Sequence, residues 1–527
     1  MTMSIDIDKR ALLKKLTIAT ALLPASSTLW AQQKLSKNPF ALGVASGSAT
    51  HDGVVLWTRL YDQGVFSSNI PNETIPVKWE ISKDEAFAQV VQSGVSQATP
   101  DLAHSVHVEL SGLPSNQWFF YRFQVGEFTS ATGKTRTFAA HNAPADKLKI
   151  AFASCQHYEL GYFNAYPHVV AEKPDVLLFL GDYIYEYAPG KKGVRSVEGS
   201  WCHTLADYRK RYATYKQEKE LQDVHACCPW LVTWDDHEVQ NDYAGTQEGS
   251  MGPSTNFLKR RAAAYQAYYE HMPLKASVLT EGIAGLDKGA EMRIYDNYKF
   301  GNLLSLSMLD TRQYRSPQAC TPNGKTGSGV LDPKSCELLS DESRSMLGLQ
   351  QEQWLEKQLQ DGKDHAWNLI GQSTLFGQIL LSYAEGPKIW NDGWDGYPVT
   401  RSRITQQLVK HKVPNPVILG GDVHESWVGY VKEDYGSPAS KAVGVEFCGA
   451  SISSYDGRNT SVRQKRNPHF VFSEGLRMGY TVMEFNKNEL NVAIRAVKDH
   501  RQKTSEIETL AKFRVPAGAP KIEMQPI

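Results

Sequence analysis

The chain has 527 residues, with 57 basic against 57 acidic side chains and a formal net charge of zero. That balance gives no electrostatic reason to expect nucleic acid or an anionic membrane as partner, so an anionic substrate must be attracted by local charge. An apolar share of 41% and a charged share of 22% describe an ordinary soluble globular protein, long enough for two domains.

Residues 1–31 read as an export signal. MTMSIDIDKRALLKK is a basic start, LTIATALLPASSTLW a short apolar stretch, and Ala31 ends a cleavage site. DKRALLK at 8–14 resembles the twin-arginine export signature, with Lys9 where its first Arg stands and Arg10 after it. The mature chain is therefore expected in the periplasm or outside the cell. No other stretch reaches about 18 consecutive apolar residues, so no transmembrane segment is expected.

Residues 32–140 are expected to form an N-terminal β-sandwich domain. VVLWTRLY, IPVKWEIS, SVHVELSGL, WFFYRFQVGEF and KTRTFAA have strand length and are separated by Gly, Pro, Asn and Asp. No Cys–Trp–Cys spacing occurs, which favours a fibronectin-like over an antibody-like sandwich. HNAPADK at 141–147 reads as a linker.

The remainder, 141–527, alternates strands with helices. LKIAFA, DVLLFL, WLVT, MRIYDNYKF, NLLSLSMLD, AWNLIGQS and PVILGGD read as strands. LADYRKRYATYKQEKELQD, NFLKRRAAAYQAYYEHM and LGLQQEQWLEKQLQD read as helices. This alternation predicts an α/β core with a parallel or mixed sheet covered by helices, closed by a hairpin of GYTVMEFN and ELNVAIRAV.

Of the seven cysteines, Cys320 and Cys336 flank a polar loop and are the expected disulfide. Cys202 is paired more loosely with Cys227 or Cys228. Cys155 lies within a motif and is kept as a thiolate.

Four short motifs follow apolar strands: SCQ at 154–156, GDYIYE at 181–186, WDDHE at 234–238 and GGDVHE at 420–425. Together they supply a thiol, a phenol, carboxylates and imidazoles, the side chains that metal ions seek. Four such strand ends predict a metal site built from loops at one sheet edge, and hence a metal-dependent hydrolase. Asp182 follows Gly181 where a bridging carboxylate belongs, the alternative being a helix N-cap. Tyr185 is a phenolate ligand or a packing neighbour of Tyr183 and Tyr187. Thiolate and phenolate together favour a ferric ion, with zinc as the alternative.

Within WDDHE, strand alternation argues that the four titratable groups cannot all serve one ion. Asp236 is assigned to metal, and His237 to the substrate as leaving-group acid or transition-state stabiliser. Asn241 and Asp242 offer oxygen to a hard cation such as calcium. Asp422 and His424, two apart, are read as sharing a strand face. Arg312 in LDTRQYR either clamps a phosphate oxygen or pairs with Asp310, and Gln372 is a site residue or a turn amide.

This set of motifs, together with FALGVASGSATHDGVVLWTRL near the start and LDTRQYR, resembles the PhoD-like alkaline phosphatases and phosphodiesterases, relatives of the purple acid phosphatases. The resemblance covers most of the mature chain. It implies a β-sandwich followed by a metallophosphoesterase core of two packed mixed sheets flanked by helices. It also implies a ferric ion (Fe3+) with calcium (Ca2+), twin-arginine export, and release of phosphate from organic phosphate esters. Carried over by position, Cys155, Asp182, Tyr185 and His424 hold iron, Asp182 bridges towards calcium, and Asp236 and Asp422 serve the calcium side, with Asn241 a candidate for a second calcium.

The expected chemistry is in-line attack on phosphorus by a metal-activated hydroxide or oxide, with His237 and Arg312 stabilising charge. The expected partners are a phosphate ester and the export machinery, with the mature chain a monomer. The rival readings are a phospholipase D-type phosphodiesterase on the same site and a non-catalytic exported calcium-binding protein.

Overall fold

A computed structural model describes residues 35, 37–62, 70–187, 193–321, 325–383, 386–437, 439–455 and 457–527. The expected export signal at 1–31 lies outside the described residues. None of the described helices is long and apolar enough to cross a membrane.

Two large mixed sheets form the frame. Across the first, the order is Glu523–Gln525, Ile507–Pro516, Glu489–Val497, Gly479–Asn486, Lys147–Ala153, Val176–Leu180, Trp230–Thr233, Val44–Gly47, Val54–Arg59 and Ser105–Leu110. The second runs Asp296–Phe300, Leu304–Met308, Trp367–Gly371, Pro416–Gly420, Ala442–Cys448, Ser426–Lys432 and Phe470–Glu474.

The central strands are parallel: Val176 pairs Ile150 and Leu177 pairs Trp230 in the first sheet, and Asn368 pairs Ser305 and Pro416 in the second. They are buried on both faces, which is why VLLFL and PVILG read as continuous apolar runs rather than alternating ones.

The sheets pack face to face. Ile150, Leu178 and Leu180 from one share a core with Leu306, Leu369 and Leu419 from the other. The outer face of the first sheet is covered by helices Tyr166–Glu172, Leu205–Lys216, Lys219–Cys227 and Phe257–His271. Leu349–Asp361 and Pro398–Lys410 cover the outer face of the second. The result is a helix–sheet–sheet–helix sandwich, as the family resemblance implied.

Two expectations change in detail. The N-terminal strands Val44–Gly47, Val54–Arg59 and Ser105–Leu110 do not form a sheet of their own but extend the large sheet. A smaller sheet, built on Ile75–Ser82, Val90–Ala98 and Trp118–Val125, packs on them through Val77, Phe119 and Phe123. The long helical stretch from 205 is broken into Leu205–Lys216 and Lys219–Cys227. At the break Gln222 Nε2 donates to the Lys216 carbonyl at 2.8 Å and to Ala41 O at 2.9 Å, so the orphaned carbonyl is satisfied and the second helix is tied to the N-terminal segment.

The Cys320–Cys336 disulfide is present. Cys202 pairs with neither Cys227 nor Cys228. Its thiol lies in the field of Arg211, Glu186 and Asp207, whereas Cys228 lies by Cys227 and Asp175.

Candidate metal centre and active site

Parallel strands end on the same side, so the loops after them meet. Cys155 follows Lys147–Ala153, Asp182 follows Val176–Leu180, and Asp235 to Glu238 follow Trp230–Thr233. From the facing sheet come Asp310 and Arg312 after Leu304–Met308, Ser373 and Thr374 after Trp367–Gly371, and Asp422 and His424 after Pro416–Gly420. Ligand sites at the carboxyl ends of such strands are a general rule of open α/β sheets.

The backbone turns sharply at these residues. Cys155, Asp182, Asp422 and His424 all have positive φ, at 58°, 56°, 67° and 56°. For non-glycine residues that region costs roughly 1–3 kcal/mol each and gathers at functional sites. Asp422 and His424 therefore sit in a turn, not on one strand face, and their side chains are aimed by left-handed backbone rather than by alternation. WDDHE likewise lies beyond the strand end, so strand alternation does not separate its side chains.

Gly181, at φ 100°, is required here. A Cβ on it would lie 2.6 Å from Asp235 Cβ and 2.7 Å from Asp235 N.

Three groups of candidate ligands result. One atom each from Cys155, Asp182 and His424 lie within 4.8 Å of one another, as do atoms from Asp182, Asp236 and His237, and from Asp236, Asp242 and Asp392. The groups are chained through shared Asp182 and Asp236. Tyr185 belongs to the first: its hydroxyl is 3.2 Å from Asp182 Oδ2 and 3.1 Å from His424 Nε2. The four residues expected to hold one ion are thus together.

A cation would relieve the electrostatics of this pocket. Burial, then neighbouring Asp182, pushes the Cys155 thiol well up. Burial, then Asp182 again, pushes the Tyr185 phenol well up. Asp182 is itself driven well above the carboxylate range by burial, an effect that His237 opposes and Asp236 and Asp235 reinforce. Its Oδ1 is buried without a hydrogen-bond partner. A buried, unpartnered carboxylate oxygen beside a thiol and a phenol is costly unless a cation sits among them. These residues therefore fit bound metal.

Asp236 behaves differently. Burial alone would raise it, but Arg312 and His237 hold it below the usual carboxylate range. For His237 the burial penalty is outweighed by Asp236, Glu186 and Asp182, so the imidazole is held well above its usual value. His237 Nδ1 is 2.7 Å from Glu186 Oε2, and its ring lies 4.2 Å from that of Tyr185, tilted by 34°.

Arg312 differs from both sequence readings. Its guanidinium is fully buried and faces carboxylates: Nε donates to Asp235 Oδ1 at 2.5 Å, and Nη2 lies 2.8 Å from Asp392 Oδ2 and 3.7 Å from Asp236. Only its backbone N–H reaches Asp310, at 2.9 Å. Gln372 is a structural amide, bonded to Thr374, Leu419 and Trp394.

Asp422 Oδ2 accepts from Thr374 Oγ1 at 2.6 Å. The backbone N–H of Asn241 is held by Glu186 Oε1 at 2.8 Å, while its neighbour Asp242 is the one grouped with Asp236.

Several residues escaped sequence reading. Asp392 follows a short strand in WNDGWDG and pairs with Arg312 and Arg315. Its only sequence signal was a carboxylate in a Gly- and Trp-rich turn. Glu238, noted within WDDHE but given no role there, accepts the backbone N–H groups of Tyr183, Asp182 and Asp235 and so fixes two motifs to each other. Ser373 donates to Asp235 at 2.9 Å; an ordinary serine carries no signal of this kind.

The fold and this chained cluster suit a metal-dependent hydrolase, and comparison with known proteins makes it one that acts on phosphate esters. The family model "PhoD-like phosphatase" matches residues 150–494, and "PhoD-like phosphatase, N-terminal domain" matches 24–139. Alkaline phosphatase D of Bacillus subtilis (strain 168) is 41% identical over 493 residues, spanning 92% of this chain and 82% of that protein. A solved structure of PhoD superposes with a TM-score of 0.86 at 39% identity, covering 93% of this chain and 92% of that one. The chain belongs to the PhoD-like phosphatase family. That membership sets aside the non-catalytic reading.

Proposed function

We propose that this protein is an exported alkaline phosphatase holding a ferric ion and calcium. The observation that carries the reading is the convergence of Cys155, Asp182, Tyr185 and His424 from both sheets. Thiolate and phenolate beside carboxylate and imidazole suit a ferric ion. The oxygen-only group of Asp236, Asp242 and Asp392 suits a hard cation such as calcium, with Asp182 between the two and Asp422 beside them.

When bound, the cations neutralise charge on the phosphate oxygens and acidify water. The chain's own residues do the rest. His237, oriented by Glu186, delivers a proton to the ester oxygen as its bond to phosphorus breaks, so the alcohol leaves neutral. Arg312 acts through others: it holds Asp235, Asp236 and Asp392 in place. Asn241 remains a candidate oxygen ligand next to Asp242.

Export rests on the signal-like residues 1–31, with Lys9 and Arg10 as the twin-arginine-like pair, and places the mature monomer in the periplasm or outside the cell. The division into 32–140 and 141–527 follows the change of pattern near 141. Native protein should release phosphate from p-nitrophenyl phosphate and lose that activity on chelation. Full activity in metal-free protein would overturn the reading.

A further inference from the structure

His157 is a buried imidazole to which the chemistry above gives no task. Its ring lies over the phenol of Tyr185, with centroids 4.2 Å apart and a tilt of 37°. His237 stands at the same 4.2 Å from Tyr185, tilted by 34°. Two rings that close cannot pack over one face of a phenol, so Tyr185 is held between the two imidazoles. Tyr187 closes the edge of the stack: its ring is 5.8 Å from that of Tyr185 and nearly perpendicular to it, and 5.3 and 5.4 Å from those of His157 and His237.

His157 is itself fixed at both ring nitrogens. Nδ1 accepts the backbone N–H of Glu159 at 3.3 Å, which leaves the ring proton on Nε2, and Nε2 donates to Tyr187 Oη at 3.0 Å. The backbone beneath is pinned to the Tyr185 segment. Cys155 N–H donates to Gly181 O at 3.0 Å, and Gln156 N–H to Asp182 O at 3.1 Å. Tyr215 Oη accepts the N–H groups of Tyr158 and Tyr185, both at 3.2 Å, and the His157 carbonyl accepts from Ser453 Oγ at 3.0 Å. An imidazole anchored in this way is a rigid wall against which the phenol cannot rock.

We infer that His157 is a positioning residue for Tyr185: it fixes the plane of the phenol ring, and with it the direction in which Oη meets a metal ion beside Asp182 and His424. The inference rests on Tyr185 being an iron ligand. A phenolate donates to a metal partly through the oxygen orbital perpendicular to its ring, so a change of ring plane changes the overlap, and the colour of a ferric phenolate reports it. His237 guards only the other face, and side chains that orient a ligand from behind commonly govern metal affinity.

The test uses natively produced holoenzyme of wild type, His157→Ala, His157→Phe and Tyr187→Phe. It reads the visible ferric–phenolate absorption, the iron retained against a competing chelator, and the melting temperature after chelation. His157→Ala is expected to displace the band and to weaken iron retention about 10–100-fold. His157→Phe keeps a ring on that face and should return both towards wild type. Tyr187→Phe releases Nε2 and should displace the band less, in the same direction; it carries the test if His157→Ala does not fold. A side chain that merely supported the fold would lower the melting temperature of chelated protein and leave the band in place. An unmoved band in the variant that carries the test, or no recovery in His157→Phe, would overturn the inference while leaving the iron site intact. Wild type that holds iron without the band would instead overturn ligation by Tyr185, and the inference with it.

Discussion

Tyr185 Oη lies 3.1 Å from His424 Nε2, although 239 residues separate them in the chain. The contact joins the loop after a strand of one sheet to the loop after a strand of the other. It is made next to Asp182 and Cys155, and it is how two packed sheets come to share one ligand set.

Asp182→Asn should separate binding from folding. The carboxylate is buried with one oxygen unpartnered and is driven well up by burial and neighbouring Asp236 and Asp235. Removing its charge is expected to abolish metal retention and turnover. Metal-free Asp182→Asn should nonetheless melt no lower than metal-free wild type. Calorimetry of both proteins after chelation checks this, and a much less stable variant would contradict it.

Arg312→Ala is expected to cost about 3–5 kcal/mol in chemical denaturation, because it strands buried carboxylates of Asp235 and Asp392. Arg312→Lys should recover only part of the loss, since an ammonium cannot reproduce the forked geometry. A near-neutral Arg312→Ala would show that the arginine serves the substrate rather than the frame.

Thr374→Val tests the support of Asp422. Losing the 2.6 Å hydrogen bond to Oδ2 should lower metal affinity or activity by about 10–100-fold while the protein stays folded. Titration of chelated protein with calcium, followed by activity, reads the effect.

Glu446 should make stability depend on pH. Burial, opposed by the amides of Phe376 and Gly377, raises this carboxyl from 4.5 to about 7. The folded chain holds the proton more tightly than the unfolded one, so its contribution is lost as pH rises from about 4.5 to about 7. Glu446→Gln cannot titrate and is expected to flatten the decline of melting temperature over that window. An unchanged slope would assign the dependence to other groups.

Much of the frame was legible because central parallel strands announce themselves as unbroken apolar runs. VLLFL and PVILG ended where predicted, and the polar residues after them lie in the candidate site. The hairpin Gly479–Asn486 with Glu489–Val497 was equally plain, but it does not close the sheet: Ile507–Pro516 and Glu523–Gln525 continue it. What failed was conformation and long-range pairing. Nothing in GGDVHE states that Asp422 and His424 take left-handed φ, because that depends on what the turn must reach across the sheets. Arg312 looked like a phosphate clamp because its partners Asp235 and Asp392 are 77 and 80 residues away. The N-terminal strands read as a sandwich of their own because strand pattern does not say which sheet a strand joins.

The most direct test of the whole account is elemental analysis of the natively produced protein beside Cys155→Ala. Stoichiometric iron with calcium in the wild type, and loss of the iron alone or of both in the variant, is the predicted result. Iron content that is negligible in active wild type, or undiminished in the variant, would contradict a centre built on that thiolate.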